Sequence, residues 1–139
     1  MDDTLTLTPR QFVRALGAVS LGGAAGTLLR DLLLRFQTTP AASTAWATQI
    51  PWVLLLINAV GVYVGTALLF GPLRHHGPNN TVRLVLITGF LGGFTSYSSL
   101  FVALAAIWHG SALASLAVAT GAILSGVAAA WLALRRRPW

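Results

Sequence analysis

The sequence predicts an all-α integral membrane protein of four transmembrane helices, and three observations carry that reading. The 139 residues are 55% hydrophobic and 9% charged, with a mean hydropathy of +0.74. A soluble domain carries about 25% charged residues to keep its surface in water. The charges are nine Arg and three Asp, with no Lys or Glu. They are also spaced for a bilayer: residues 36–73 and 84–134 contain none. Apolar richness excludes a disordered chain.

A spanning helix needs roughly 20 mainly apolar residues. The first span reads as 12–34, with Arg14 near its start and Arg30 near its end. Its length, and Asp2 and Asp3 ahead of it in place of a basic region, fit a cleaved signal peptide poorly. The second span reads as 50–70. The 84–134 stretch holds two more, at 82–108 and 111–134, turning at Trp108-His109-Gly110-Ser111. Residues 1–11 are a short polar start. Thr38, Thr39, Pro40, Ser43 and Thr44 mark the first connection, and Gly71-Pro72 with Gly77-Pro78-Asn79-Asn80 marks the second. Residues 1–139 thus read as one membrane domain.

Without cysteine there is no disulfide, thiolate metal site or cysteine nucleophile. A formal charge of +6 does not imply nucleic acid, because the arginines sit at span ends as headgroup anchors. Gly22/Gly26, Gly61/Gly65 and Gly121/Ser125 are small residues four apart, the spacing that lets helices approach closely in lipid. Four short helices enclose little, so a transmembrane pathway requires oligomerisation.

The segment Gly89-Phe90-Leu91-Gly92-Gly93-Phe94-Thr95-Ser96-Tyr97-Ser98-Ser99-Leu100 lies in the middle of the third span. Paired glycines followed by four hydroxyl residues are poor helix material. Unpaired backbone groups in hydrocarbon cost several kcal/mol each, so a break there must face protein, water or an ion. Two readings stand: an ion-facing interruption, or a kink whose hydroxyls bond back to carbonyls. Asn58 is the one amide inside the second span, either a neutral donor to an anion or a helix–helix hydrogen-bonding residue. Arg30 and Asp31 lie at the end of the first span as anchors. His75, His76 and His109 have no carboxylate neighbours and read as solvated or interfacial. No nucleophile–base pair or ligand cluster suggests an enzyme.

Gly26-Thr27-Leu28-Leu29-Arg30, Asn58-Ala59-Val60-Gly61 and Thr88-Gly89-Phe90-Leu91-Gly92-Gly93-Phe94-Thr95-Ser96-Tyr97-Ser98 together resemble the Fluc (CrcB-type) fluoride channel family. The resemblance covers essentially the whole chain, and its third motif is the specific one. It implies an antiparallel dimer with two fluoride pores, a third helix broken mid-membrane, and a structural sodium ion at the dimer centre. The sodium ligands would be the backbone carbonyls of Gly92 and Thr95. Asn58 would be a pore-lining donor, Ser98 and Ser99 part of a polar track, and Arg30 a vestibule or structural residue. The family has two phenylalanines where this chain has Tyr97 and Leu100. The fourth span has no tyrosine, and Ser125 is its main polar candidate.

With four spans, Arg10, Arg14, Arg74, Arg83, Arg135, Arg136 and Arg137 share one side, against Arg30 and Arg35 on the other. The positive-inside rule then places both termini in the cytoplasm of a bacterial-type inner membrane. The expected function is passive fluoride export. Arginine bias and the missing phenylalanines together favour a heterodimer with a paralogue over a homodimer. The alternatives are a small proton-coupled multidrug exporter, which needs a membrane-embedded carboxylate, and a non-conducting partner subunit.

Overall fold

The computed structural model describes residues 8–37 and 49–136. The first connection as read at Thr38–Thr44, the aspartates at 2 and 3, and Arg137 lie outside the described residues. Four helices are long and apolar enough to cross a membrane: α1 (Pro9–Leu34), α2 (Trp52–Leu69), α3 (Thr81–Gly110) and α4 (Ala112–Arg135). No strand occurs among the described residues.

Local chemistry sets the ends. Thr8 caps α1 in a reciprocal box with Gln11, and Pro9 opens the first turn. The helix therefore starts three residues ahead of Phe12, at a Thr-Pro-Arg-Gln sequence that supplies cap, fixed φ and return acceptor. Asn80 caps α3, accepting from the amides of Val82 and Arg83. Ser111 alone separates α3 from α4: its backbone is extended and its hydroxyl accepts from Ala114 N–H. The turn read at residues 108–111 is thus one serine wide.

Glycines set the packing. A Cβ on Gly22 or Gly26 would run into the carbonyls of Val85 or Phe90, and one on Gly89 would lie 2.7 Å from the Val19 carbonyl. α1 and the first half of α3 therefore cross backbone to backbone and run parallel, since later residues of one meet later residues of the other. α2 runs antiparallel to α3: Gly65 meets Leu91, Gly61 meets Thr95, and Leu54 packs with Leu100. α4 covers α2 and the second half of α3, stapled to α3 by a hydrogen bond from Ser115 Oγ to the Leu104 carbonyl at 2.9 Å. The order is up-down-up-down, which gathers the described arginines 10, 14, 74, 83, 135 and 136 at one end.

The small pair on α4 behaves differently. A Cβ on Gly121 meets nothing within 4 Å, and Ser125 is exposed. Only 6% of the most apolar window of α4 is buried. Leu113, Ile123, Leu124 and Val127 face outward, as suits lipid or a partner.

α3 is not uniform. Leu84–Leu91 is π-helical, a longer run than the single-turn bulges in which such winding usually appears. Helical winding resumes over Gly92–Phe94 and stops at Thr95 and Ser96, both extended (φ −83°, ψ 146° and φ −147°, ψ 107°). It restarts as Tyr97–Gly110. Winding lapses over Thr95 and Ser96 while the axis bends by only 13°, so the helix runs on in one direction through the point where a break was expected.

Candidate functional site

The lapse at Thr95 and Ser96 frees backbone groups in the middle of a span, and side chains take them up. Ser96 N–H donates to Asn58 Oδ1 at 2.9 Å. Asn58 Nδ2 donates back to the Ser96 carbonyl at 3.3 Å. Both residues are buried, at 9% and 8% exposure. The carboxamide is the right group because it pairs one acceptor and one donor with the N–H and C=O of a single residue. Asn58 is therefore the brace of the interruption, which is the helix–helix hydrogen-bonding reading of it.

The consequence falls on Gly92. In a continuous helix its carbonyl would accept from Ser96 N–H, four residues on. Asn58 has taken that donor. Gly92 is itself exposed, with open space beside its Cα.

The same substitution repeats at Thr95. Its carbonyl would pair with Ser99 N–H, but that amide donates to Ser96 Oγ at 3.2 Å. Gly92 and Thr95 are thus among the carbonyls that lose their helical donors at the lapse, together with Gly93 and Phe94. Two neighbouring carbonyls find other donors: Leu91 accepts from both Thr95 N–H and Thr95 Oγ1, at 2.9 and 2.8 Å, and Gly93 accepts from Thr27 Oγ1 at 3.4 Å.

Ser96 also gathers the hydroxyls. Its Oγ lies 2.9 Å from Ser99 Oγ and 3.2 Å from Ser98 Oγ. The second half of α3 starts here, so the Tyr97 and Ser98 amides have no intrahelical acceptor, and the positive end of its dipole sits among three hydroxyls. Every donor is neutral, and no charged side chain lies between Arg83 and Arg135.

The aromatic positions diverge. Tyr97 is 58% exposed and Phe101 68%, one turn apart on the outer face. Leu100 points inward, at 5% exposure, against Leu54 and Leu104. Phe94 is buried and stacks on Phe90 at 5.8 Å. Ser125 lies apart from this cluster, its hydroxyl donating to the Ala122 carbonyl at 2.8 Å. It lines an apolar groove of about 600 Å³ between α2 and α4, with Trp52, Leu56, Ala59 and Gly121.

Arg30 is half-buried, at the far end of α1. Beside it Asp31 pairs with Arg35 at 3.2 Å, both largely exposed. Sequence reasoning missed Ser115 and Thr27, whose hydroxyls tie neighbouring helices. The only signal was a hydroxyl on an apolar span, which does not say what it bonds.

A multi-pass membrane bundle with a neutral, donor-lined lapse at mid-span defines the class. Residues 17–134 match the family described as CrcB-like protein, Camphor Resistance (CrcB), and the chain belongs to that family. The fluoride-specific ion channel FluC of Chelativorans sp. (strain BNC1) is 35% identical over 120 residues, 83% of this chain and 92% of that protein. FluC 1 of Cutibacterium acnes is 36% identical over 126 residues, 85% and 81% of the two chains. The FluC of Rhizobium etli is 33% identical over 118 residues, 79% and 90%.

Proposed function

We propose that the chain is a subunit of a fluoride-selective channel that lets the anion leave the cytoplasm passively. The observation that carries the reading is the neutral donor cluster at the Thr95–Ser96 lapse, braced by Asn58, in a chain whose relatives are named fluoride-specific channels. Fluoride is small and strongly hydrated, so its dehydration must be offset by close N–H and O–H donors. Binding must stay weak enough for exit, which neutral donors permit. The Asn58 carboxamide keeps one N–H beyond its bond to Ser96, Ser98 and Ser99 supply hydroxyls, and the edge of the Tyr97 ring is electropositive. Ser125 enters this track only from another subunit, since within its own chain it lies in the α2–α4 groove.

The active unit is an antiparallel dimer in a bacterial-type plasma membrane, with this chain's termini in the cytoplasm. Gly92 and Thr95 offer hard oxygen donors whose helical partners are diverted, a donor set that fits sodium. When bound between two subunits, the ion supplies a fixed positive charge that ties the two lapses together. The arginine-rich end favours one orientation, and hence an opposite-facing paralogue as partner.

A channel subunit also accounts for the chain better than its rivals. A proton-coupled exporter needs a carboxylate within the membrane, and the one described carboxylate, Asp31, is exposed and paired with Arg35. A non-conducting partner subunit draws support from Leu100, which is committed to the subunit's own core. Fluoride and chloride efflux from proteoliposomes containing the chain, alone and with a paralogue, tests the proposal. Electrogenic fluoride flux with little chloride flux is expected, and equal rates for the two anions overturn it.

A further inference from the structure

A second polar site lies at the arginine-rich end, about half a membrane away from the lapse. A cavity of about 170 Å³ opens between the first turns of α1 and the start of α3, lined by Gln11, Arg14, Ala15, Asn79, Thr81 and Leu84. We propose that it holds the phosphate of an anionic lipid headgroup.

The lining suits that ligand. Arg14 supplies a fixed charge able to bind phosphate oxygens in a fork. It is exposed and has no hydrogen-bond or ion-pair partner among the described residues. Gln11, Asn79 and Thr81 add neutral side-chain donors. Gln11 uses its oxygen on Thr8 N–H, which leaves its NH2 free. Ala15 and Leu84 give the apolar floor that a lipid's glycerol and first methylenes need and an inorganic ion does not.

Both helices that frame the cavity begin beside it, which puts the positive ends of their dipoles near it. Arg83 belongs to the frame: its guanidinium holds the His76 carbonyl at 3.0 Å. Among the described residues the carboxylate is Asp31, seventeen positions along α1 and so about 25 Å away at 1.5 Å per residue.

The depth is also right. α3, at thirty residues, is about 45 Å long against a hydrocarbon core of ~30 Å. Its first turn therefore stands in the headgroup layer.

The test uses the full chain in detergent, with bound phosphatidylglycerol measured by native mass spectrometry. Three proteins are compared: the unaltered chain, Arg14→Gln, and Arg135→Gln, which removes a same-side arginine outside the cavity. The unaltered chain and Arg135→Gln should retain the lipid, and Arg14→Gln should lose about fivefold in retention, the scale of one arginine at an anionic surface. Asn79→Leu, which leaves the charge in place, should also weaken retention. Unchanged retention in Arg14→Gln, or equal losses in both arginine variants, overturns the pocket. Displacement of the lipid by millimolar inorganic phosphate assigns the cavity to the free ion and overturns the lipid as its source.

Discussion

Asn58 and Ser96, thirty-eight residues apart in sequence, exchange two hydrogen bonds that replace what a continuous helix would supply at mid-span. The pair holds the peptide units on both sides of Ser96 and takes from the Gly92 carbonyl its helical donor. A buried donor or acceptor left without its partner costs roughly 1–3 kcal/mol. The lapse therefore persists because one amide from α2 makes it affordable.

Asn58→Asp separates the two bonds. The carboxylate still accepts from Ser96 N–H but cannot donate to the Ser96 carbonyl, and it adds a charge inside the bundle. Fluoride efflux should fall at least about tenfold, the equivalent of 1.4 kcal/mol, within the cost of one unmet buried group. Efflux at the unaltered rate would remove Asn58 from the site.

Ser96→Ala removes the cap on Ser99 N–H and the centre of the hydroxyl cluster. Losing such a cap costs about 1 kcal/mol, so thermal unfolding in detergent should shift down modestly. Ser96→Thr keeps the acceptor and should restore most of the stability. Equal melting of all three proteins would mean that the cap contributes nothing.

Gly26→Ala places a methyl group against the Phe90 carbonyl where α1 crosses α3. Backbone cannot yield there as a side chain could, so a cost of about 1–3 kcal/mol is expected. Gly17→Ala, with nothing within 4 Å, should be neutral or gain up to ~1 kcal/mol in helix propensity. The two melting curves decide between close packing and general glycine intolerance.

Replacing sodium with N-methylglucamine tests the diverted carbonyls. If Gly92 and Thr95 hold the ion, the dimer population on size exclusion should fall and recover when sodium is restored. Indifference to the cation would leave those carbonyls without a ligand.

Reporter fusions at the C-terminus test the orientation. Expressed alone, the chain should give signal almost wholly from the cytoplasmic reporter, because six described arginines share one end. Comparable cytoplasmic and periplasmic signals would remove the main support for a heterodimer.

The sequence by itself determined the membrane class, because charge-free runs of spanning length admit no other solvent. It also located the lapse, since Gly92-Gly93 followed by hydroxyl residues weakens helical winding whatever surrounds it, and Trp108-His109-Gly110-Ser111 marked the last turn. The outcome of each local choice was left to packing. Gly22, Gly61 and Gly121 look alike in sequence, yet the first two meet a neighbour and the third meets open space. Asn58 had a donor and an acceptor to spend, and only the approach of α2 to Ser96 decided that both go to backbone. Leu100 turned inward because Leu54 and Leu104 form a buried cluster with it, while Tyr97, on the first turn after the lapse, stayed exposed. The π-helical winding of Leu84–Leu91 had no sequence signal, since an apolar run with one glycine fits either helix. Local propensity sets where a helix yields; the partner across the interface sets which groups are then left free.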